Sequence, residues 1–344
     1  MPTAYNDDAG AAQVPNWHYH STMSSPLQWL NRAAAGSLGP VRAAIRHWVL
    51  SAFPRSESSR IDYDHPPGDP GLFGPDSATW RVHSNFPGML SGGLAALTLQ
   101  TLHPLALAGV WDHSSFRDDM IGRLRRTTMF VGATTYASVA DSEALIAHVR
   151  HIHSFVKGRG EDGRPYAADD PALLTWVHVT EAYSFLQGYR RYSHVELPPG
   201  AADRYYDEVR RIAEALGARD VPASAQAVSD YFQQVQSELA FTERSREVLR
   251  LLSQVKLPVP VAGLSRDLFL LSGTALLPDW ATAMLRLTPR QQRQSKLASH
   301  ALWSIAPIFG AALNDGIASR SCRRVGVPIT DLVRWPKDPD HALS

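Results

Sequence analysis

The chain has 344 residues, 44% of them apolar and 19% charged, enough to bury a sizeable core and too ordinary for a disordered chain. Its 34 basic and 33 acidic side chains leave a formal net charge of +1, and no basic run breaks the balance, which argues against a nucleic-acid partner. One cysteine, Cys322, excludes an internal disulfide framework and any Cys-based zinc or iron–sulfur site.

The first 16 residues are polar and carry Asp7 and Asp8 where a secretory signal needs a basic stretch followed by an apolar one. Residues 1–70 read as an N-terminal extension, with an amphipathic helix from Val41 to Phe53 and then Pro54, Pro66, Pro67 and Pro70 as breakers. From Leu72 the texture changes to long helical periods, predicting an all-α fold with one large helical domain over 71–305 and a C-terminal tail over 306–344.

Helices are expected from Ser77 to Val82, from Met89 to Leu102 with Pro104 as a stop, and from Phe116 to Tyr136. The next starts at Asp141 and ends before Gly158, and Asp170-Pro171 opens one that reaches Tyr192. Beyond Pro198-Pro199-Gly200 come Ala201 to Leu216, Ser224 to Leu239, Thr242 to Leu252, Arg266 to Leu277 and Pro289 to Trp303. Period-two alternation is missing, so an extensive sheet is not expected. The apolar stretch from Leu268 to Leu287 reads as a buried helix–turn–helix, with contact to a membrane surface as the alternative. No uncharged apolar run reaches the roughly 18 residues that span a bilayer, and the expected compartment is the cytoplasm.

Gly158-Arg-Gly160-Glu-Asp-Gly163 matches a dinucleotide-binding pattern by letter but follows a helix instead of a strand, so it reads as a surface loop. Histidine is the remaining chemical resource. In Ala147-His148-Val149-Arg150-His151-Ile152-His153 the stripe of Leu145, Ile146, Val149, Ile152 and Val156 defines the buried face. His153 lies roughly 50° from its centre, His148 roughly 90° and His151 about 150° at 100° per residue, so His153 faces the interior and His151 the solvent. A buried neutral imidazole is either a core group bonded to a carbonyl or a metal ligand. With no cysteine cluster and no carboxylate at helical spacing, a single-His metal site points to a macrocycle that supplies the other ligands, a haem. One helix earlier, Arg123 and Thr127 share a face at i and i+4, where they can hold a propionate or a dioxygen species; alternatively Arg123 pairs with Asp119.

Several linked motifs carry a family resemblance. They are Gly74-Pro-Asp-Ser-Ala-Thr-Trp-Arg-Val-His83, Leu102-His-Pro, Ala108-Gly-Val-Trp-Asp-His-Ser-Ser-Phe-Arg117 and Arg123-Leu-Arg-Arg-Thr127. His153-Ser-Phe-Val-Lys-Gly158, Gly163-Arg-Pro-Tyr-Ala-Ala-Asp-Asp-Pro171, Leu174-Thr-Trp-Val-His178 and Gly188-Tyr-Arg-Arg-Tyr192 complete them. In order and spacing, residues 72–300 resemble the MpaB-type oxygenases, which include the rubber oxygenase known as latex-clearing protein.

The resemblance implies a helical fold around one haem b, and an oxygenase that uses dioxygen on a hydrophobic substrate of isoprenoid or unsaturated-lipid type. In the rubber oxygenase pattern an Arg, then Lys-Thr three and four residues on, precede the axial His. Those positions are Arg123, Arg126 and Thr127 here, with His153 as the matching iron ligand after a somewhat shorter interval. The resemblance thus assigns Arg123 and Thr127 to catalysis and Arg126 and His178 to the cofactor, with His178 as the rival iron ligand; Glu181, three residues on, makes with it a structural hydrogen bond or a contact that orients a ligand.

Arg126 departs from the lysine of that pattern. A guanidinium has no lone pair for iron, so the distal side is expected to be open or occupied by water. Met129, Phe130, Leu174 and Val177 are candidates to line a dry cavity or are ordinary core, and His83, His103 and His113 read as helix caps and loop anchors. The alternative to an enzyme is a non-catalytic haem- or lipid-binding protein.

Overall fold

The helix opened by Asp170-Pro171 forms over Pro171–Tyr192, with the Asp170 carboxylate accepting from the backbone of Ala172 and Leu173. The helix after the Pro198-Pro199-Gly200 break runs over Ala201–Leu216 and ends at Gly217, whose φ of 114° only glycine adopts freely. These belong to a computed structural model that describes residues 61–255, 262–313 and 315–335 together with Ala43, leaving aside the side chains of 262–264. The helix expected over Val41–Phe53 lies, Ala43 apart, outside the described residues.

In chain order the described helices are α1 (Ala78–Ser84), α2 (Phe86–Gln100), α3 (Pro104–His113), α4 (Met120–Tyr136) and α5 (Val139–His153). Strands β1 (Lys157–Arg159) and β2 (Pro165–Ala167) follow, then α6 (Pro171–Tyr192), α7 (Ala201–Leu216), α8 (Ala225–Val235) and α9 (Glu243–Gln254). Helices α10 (Ala262–Thr274), α11 (Asp279–Met284), α12 (Pro289–Ala312) and α13 (Ile317–Arg324) complete an all-α fold. No single helix among the described residues is long and apolar enough to cross a membrane.

Three differences from the sequence reading have local causes. Pro104 stops α2 but also opens α3, because a proline at the first turn sacrifices an N–H that has no helical partner anyway; His103 caps that helix. The Gly158–Gly163 segment is a β-hairpin, with Gly163 at φ 81° closing the turn onto the Gly160 carbonyl. Helix α12 continues past Trp303 to Ala312 through Pro307. Pro307 has no N–H for the Trp303 carbonyl four residues back, and His194 Nε2 meets that carbonyl at 3.1 Å instead.

The core centres on the crossing of α2 with α6, flanked by α7, α10 and α12. Trp176, Leu186 and Tyr192 of α6, Leu99 of α2, Tyr205 of α7, Phe269 of α10 and Leu302 of α12 are fully buried there. At the crossing the two backbones touch: a Cβ on Gly188 would run into the Gly88 carbonyl, and one on Gly92 would lie 2.7 Å from the Ser184 carbonyl oxygen. The segment from Leu268 to Leu287 is a buried helix–turn–helix, with Phe269, Leu276, Leu277, Ala281 and Leu285 in the core.

A second apolar cluster joins Tyr63, Trp80, Tyr136 and Cys322. The buried Arg324 guanidinium donates to the carbonyls of Tyr63, Asp69 and Ala137, and Asp64 pairs with Arg320 and Arg323. Residues 61–71 are thereby tied to α13 and to the C-terminal end of α4.

Candidate functional site

Helices α4 and α5 form an antiparallel hairpin turned at Ala137 and Ser138, which places the first turns of α4 and the last turns of α5 at the same end. Ser138 caps α5 through the Asp141 N–H, so Asp141 sits in the first turn and not at the cap. From Met120 to Gly132 no residue of α4 is buried, although Leu124, Phe130 and Val131 are apolar. Val177, His178 and Glu181 of α6 and Gly93, Leu94, Leu97, Thr98 and Gln100 of α2 are likewise half-buried. Gln100 bridges the two helices by donating to the Val177 carbonyl. Helix α1 packs against α2, α4 and α6, so the polar groups of all four helices gather at this junction.

Its polar groups come from four helices. His83 of α1 is fully satisfied: Nδ1 meets Thr135 Oγ1 at 2.8 Å and Nε2 meets Tyr205 OH at 3.0 Å. The Thr135 hydroxyl gives its one proton to the Val131 carbonyl, so it must accept from His83 Nδ1–H, and Nε2 then accepts from Tyr205. Burial, with His178 nearby, holds the His83 ring down at about 3, so it stays neutral.

His178 is held down at about 4 by burial alone, and among the described residues no group hydrogen-bonds its ring. One turn on, burial pushes the Glu181 carboxyl up to about 7, against the pull of Gln100 and the Arg123 charge. The Arg123 guanidinium is itself lowered by burial and by Arg126, with Glu181 acting the other way. Its Nη1 donates to Ser114 Oγ at 2.9 Å. Arg123 therefore does not pair with Asp119, which caps α4 and meets Arg126 instead.

Of the residues singled out from sequence, Arg123 and Thr127 of α4 and His178 of α6 come toward one junction, where Glu181 acts on Arg123 and His178 acts on His83. Thr127 shares the Arg123 face and donates its hydroxyl to the Arg123 carbonyl at 3.2 Å. Arg126 points outward, exposed, 3.6 Å from Asp119. His153 is half-buried at the end of α5, lowered by burial against the pull of Asp169, with Nδ1 buried and without a partner. His151 is exposed, as expected, but so is Ile152, because α5 is covered by α4 and α7 and its last turn runs beyond that cover.

Leu174 packs with Ala213, Ala218 and Val221, as core and not as cavity lining. His103 caps α3 and His113 meets the Lys157 carbonyl at 3.2 Å, both as anchors. The interior role of His83 was missed, and Glu181 was read only as the His178 partner, whereas the structure shows it acting on Arg123. The available signal for Glu181 was that it is the one carboxylate in the 22 residues of α6.

Among the described residues no three His, Cys, Asp or Glu side chains converge as a metal-ligand set. Two neutral imidazoles without hydrogen-bond partners, a desolvated guanidinium and an apolar surround suit a ligand that brings most of its own chemistry. Residues 80–306 match the family described as ER-bound oxygenase mpaB/B'/rubber oxygenase, catalytic domain. No curated protein and no solved structure matches the chain. With about two thirds of its length matched, and in agreement with its motifs, the chain belongs to the mpaB/rubber oxygenase catalytic-domain family.

Proposed function

We propose that the protein is a haem b-dependent oxygenase acting with dioxygen on a hydrophobic substrate of isoprenoid or unsaturated-lipid type. This reading is supported by two imidazoles, His153 and His178, both lowered by burial and without a hydrogen-bond partner among the described residues, and by the desolvated Arg123 near Glu181. A neutral imidazole with a free lone pair is what haem iron takes up, and a macrocycle needs one or two such groups where other metals need a cluster.

His153 is the proposed iron ligand, and the desolvated Arg123 is placed to meet a propionate or negative charge that develops during the reaction. Arg126, outside on Asp119, is left to the solvent face. Bound there, the haem supplies the activation of dioxygen. Thr127, its proton committed to the Arg123 carbonyl, offers lone pairs and so orients a donor group. Glu181 near 7 can hold a proton at a carboxyl oxygen and release it within the physiological range. His83 and Tyr205, locked together and to Thr135, close the polar side, while Leu97, Phe130, Val131 and Val177 keep water out.

A second reading makes His178 the iron ligand. It is favoured by the place of His178 beside His83 and one turn from Glu181, and by its unbonded ring. Absorption spectra of the purified protein test both. A Soret band is expected, retained in His151→Ala and lost in His153→Ala; loss in His178→Ala with retention in His153→Ala selects the second reading. Protein that stays colourless after haem supplementation overturns both. Oxygen uptake with isoprenoid or unsaturated-lipid substrates then separates an oxygenase from a haem carrier.

A further inference from the structure

Helix α12 is built differently from the rest of the surface. Its inner face, with Ser295, Ser299, Leu302, Ala306 and Phe309 buried, lies on α10 and α2 and takes hydrogen bonds from Arg191 and Tyr192 at Ser299. Its outer face exposes large apolar side chains: Leu297 is 71% exposed, Trp303 41% and Ile305 37%.

The same helix has no Asp or Glu in its 24 residues. Arg290, Arg293 and Lys296 stand exposed, and among the described residues none of them meets a carboxylate. At 100° per residue, Arg290, Arg293, Leu297, Ala301 and Ser304 fall within about 80° of one another, with Lys296 and Trp303 on one flank and Ile305 on the other. Beside Trp303 opens a surface groove of about 630 Å³ lined by Arg190, His194 and Glu196.

We propose that the outer face of α12 docks on an anionic lipid surface, with Leu297 and Trp303 entering the headgroup region and Arg290, Arg293 and Lys296 meeting its phosphates and carboxylates. A basic helix with exposed aliphatic and indole side chains is the composition that binds in the plane of an interface. A second copy of the chain fits less well. A two-fold interface on this face would bring cations to cations with no acid on the helix to relieve them. The surface is preformed, since the inner face already holds α12 in place, so docking needs no folding step. The buried Leu268–Leu287 segment does not provide this contact.

The full chain is to be sedimented with vesicles of phosphatidylcholine alone and with about 30 mol % phosphatidylserine added, at low and high salt. Binding is expected to the anionic vesicles only, and to weaken with salt. The Arg290→Gln, Arg293→Gln, Lys296→Gln triple variant should bind on the order of 100-fold more weakly. Leu297→Gln, a separate test of the apolar part, should bind several-fold more weakly, while Arg250→Gln, which removes one cation from α9, should bind as the parent does. Parent protein that stays in solution, equal binding to neutral vesicles, or a triple variant that binds like the parent overturns the proposal. So does a dimer, seen by light scattering without lipid, that Leu297→Gln dissociates.

Discussion

The α2–α6 crossing and the first three turns of α4 sit in one helical unit and are packed in opposite ways. At the crossing, Gly88, Gly92 and Gly188 bring two backbones into contact and no side chain separates them. Along α4, from Met120 to Gly132, apolar side chains are present and none is buried. The hydrophobic pattern of a helix says which face is apolar, not what that face meets. On α2 and α6 it meets another helix closely; on α4 it stays half-buried, with Val131 against the core and Met120 beside Phe116.

The largest effect that sharpens this contrast is expected from Gly188→Val, whose side chain must force the two backbones apart. Denaturant unfolding should show a loss of about 3 kcal/mol. Truncation comes next. Leu99→Ala, in the packed region, should cost about 2–5 kcal/mol, whereas Leu124→Ala on α4 should cost less than about 1 kcal/mol. Equal losses would break the comparison, because Leu124 would then be ordinary core.

Acidification should act on the junction of α1, α4 and α6. His83 and His178 are held at about 3 and 4, below their ordinary value, so the stability they contribute is present above about 6.5 and is lost as pH falls through the histidine range. Glu181, raised to about 7, contributes in the opposite sense, present at low pH and lost as pH rises from about 4.5 toward 7. Between about 4.5 and 6.5 the two histidines outweigh the one carboxyl by a single proton. Stability should therefore fall on acidification by on the order of 1 kcal/mol per pH unit. His178→Phe should flatten that limb, and an unchanged slope would place His178 in water. The smallest effect belongs to Arg126→Gln, which removes an exposed ion pair; the melting transition should shift by less than about 0.5 kcal/mol, with spectra unchanged.

Local chemistry made the helices legible. Asp170-Pro171 and the Pro198-to-Gly217 span mark α6 and α7 because caps and breakers act over one turn. The extension of α12 was not legible, since the Trp303 carbonyl that Pro307 leaves free is met by His194 from the loop after α6. The site divides in the same way. Arg123 and Thr127 share a face by spacing alone, and the exposure of His151 follows from the wheel. The partnership of His83 with Thr135 and Tyr205 joins residues 52 and 122 positions apart, which no helical period connects. Arg126 shows the limit from the other side: a motif position fixes a residue's number, but Asp119 decides which way its side chain turns.

Arg324 and Ser321 meet the C-terminal end of α4, donating to the carbonyls of Ala137 and Tyr136, while Ala133 to Tyr136 are buried. Three turns away the same helix has no buried residue and is tied by the Arg123 bond to Ser114. Mechanically α4 is held most firmly at one end, by α13 and residues 61–71, and rests against α5 and α1 elsewhere. Amides at the clamped end should exchange with solvent deuterium far more slowly than those from Gly122 to Phe130.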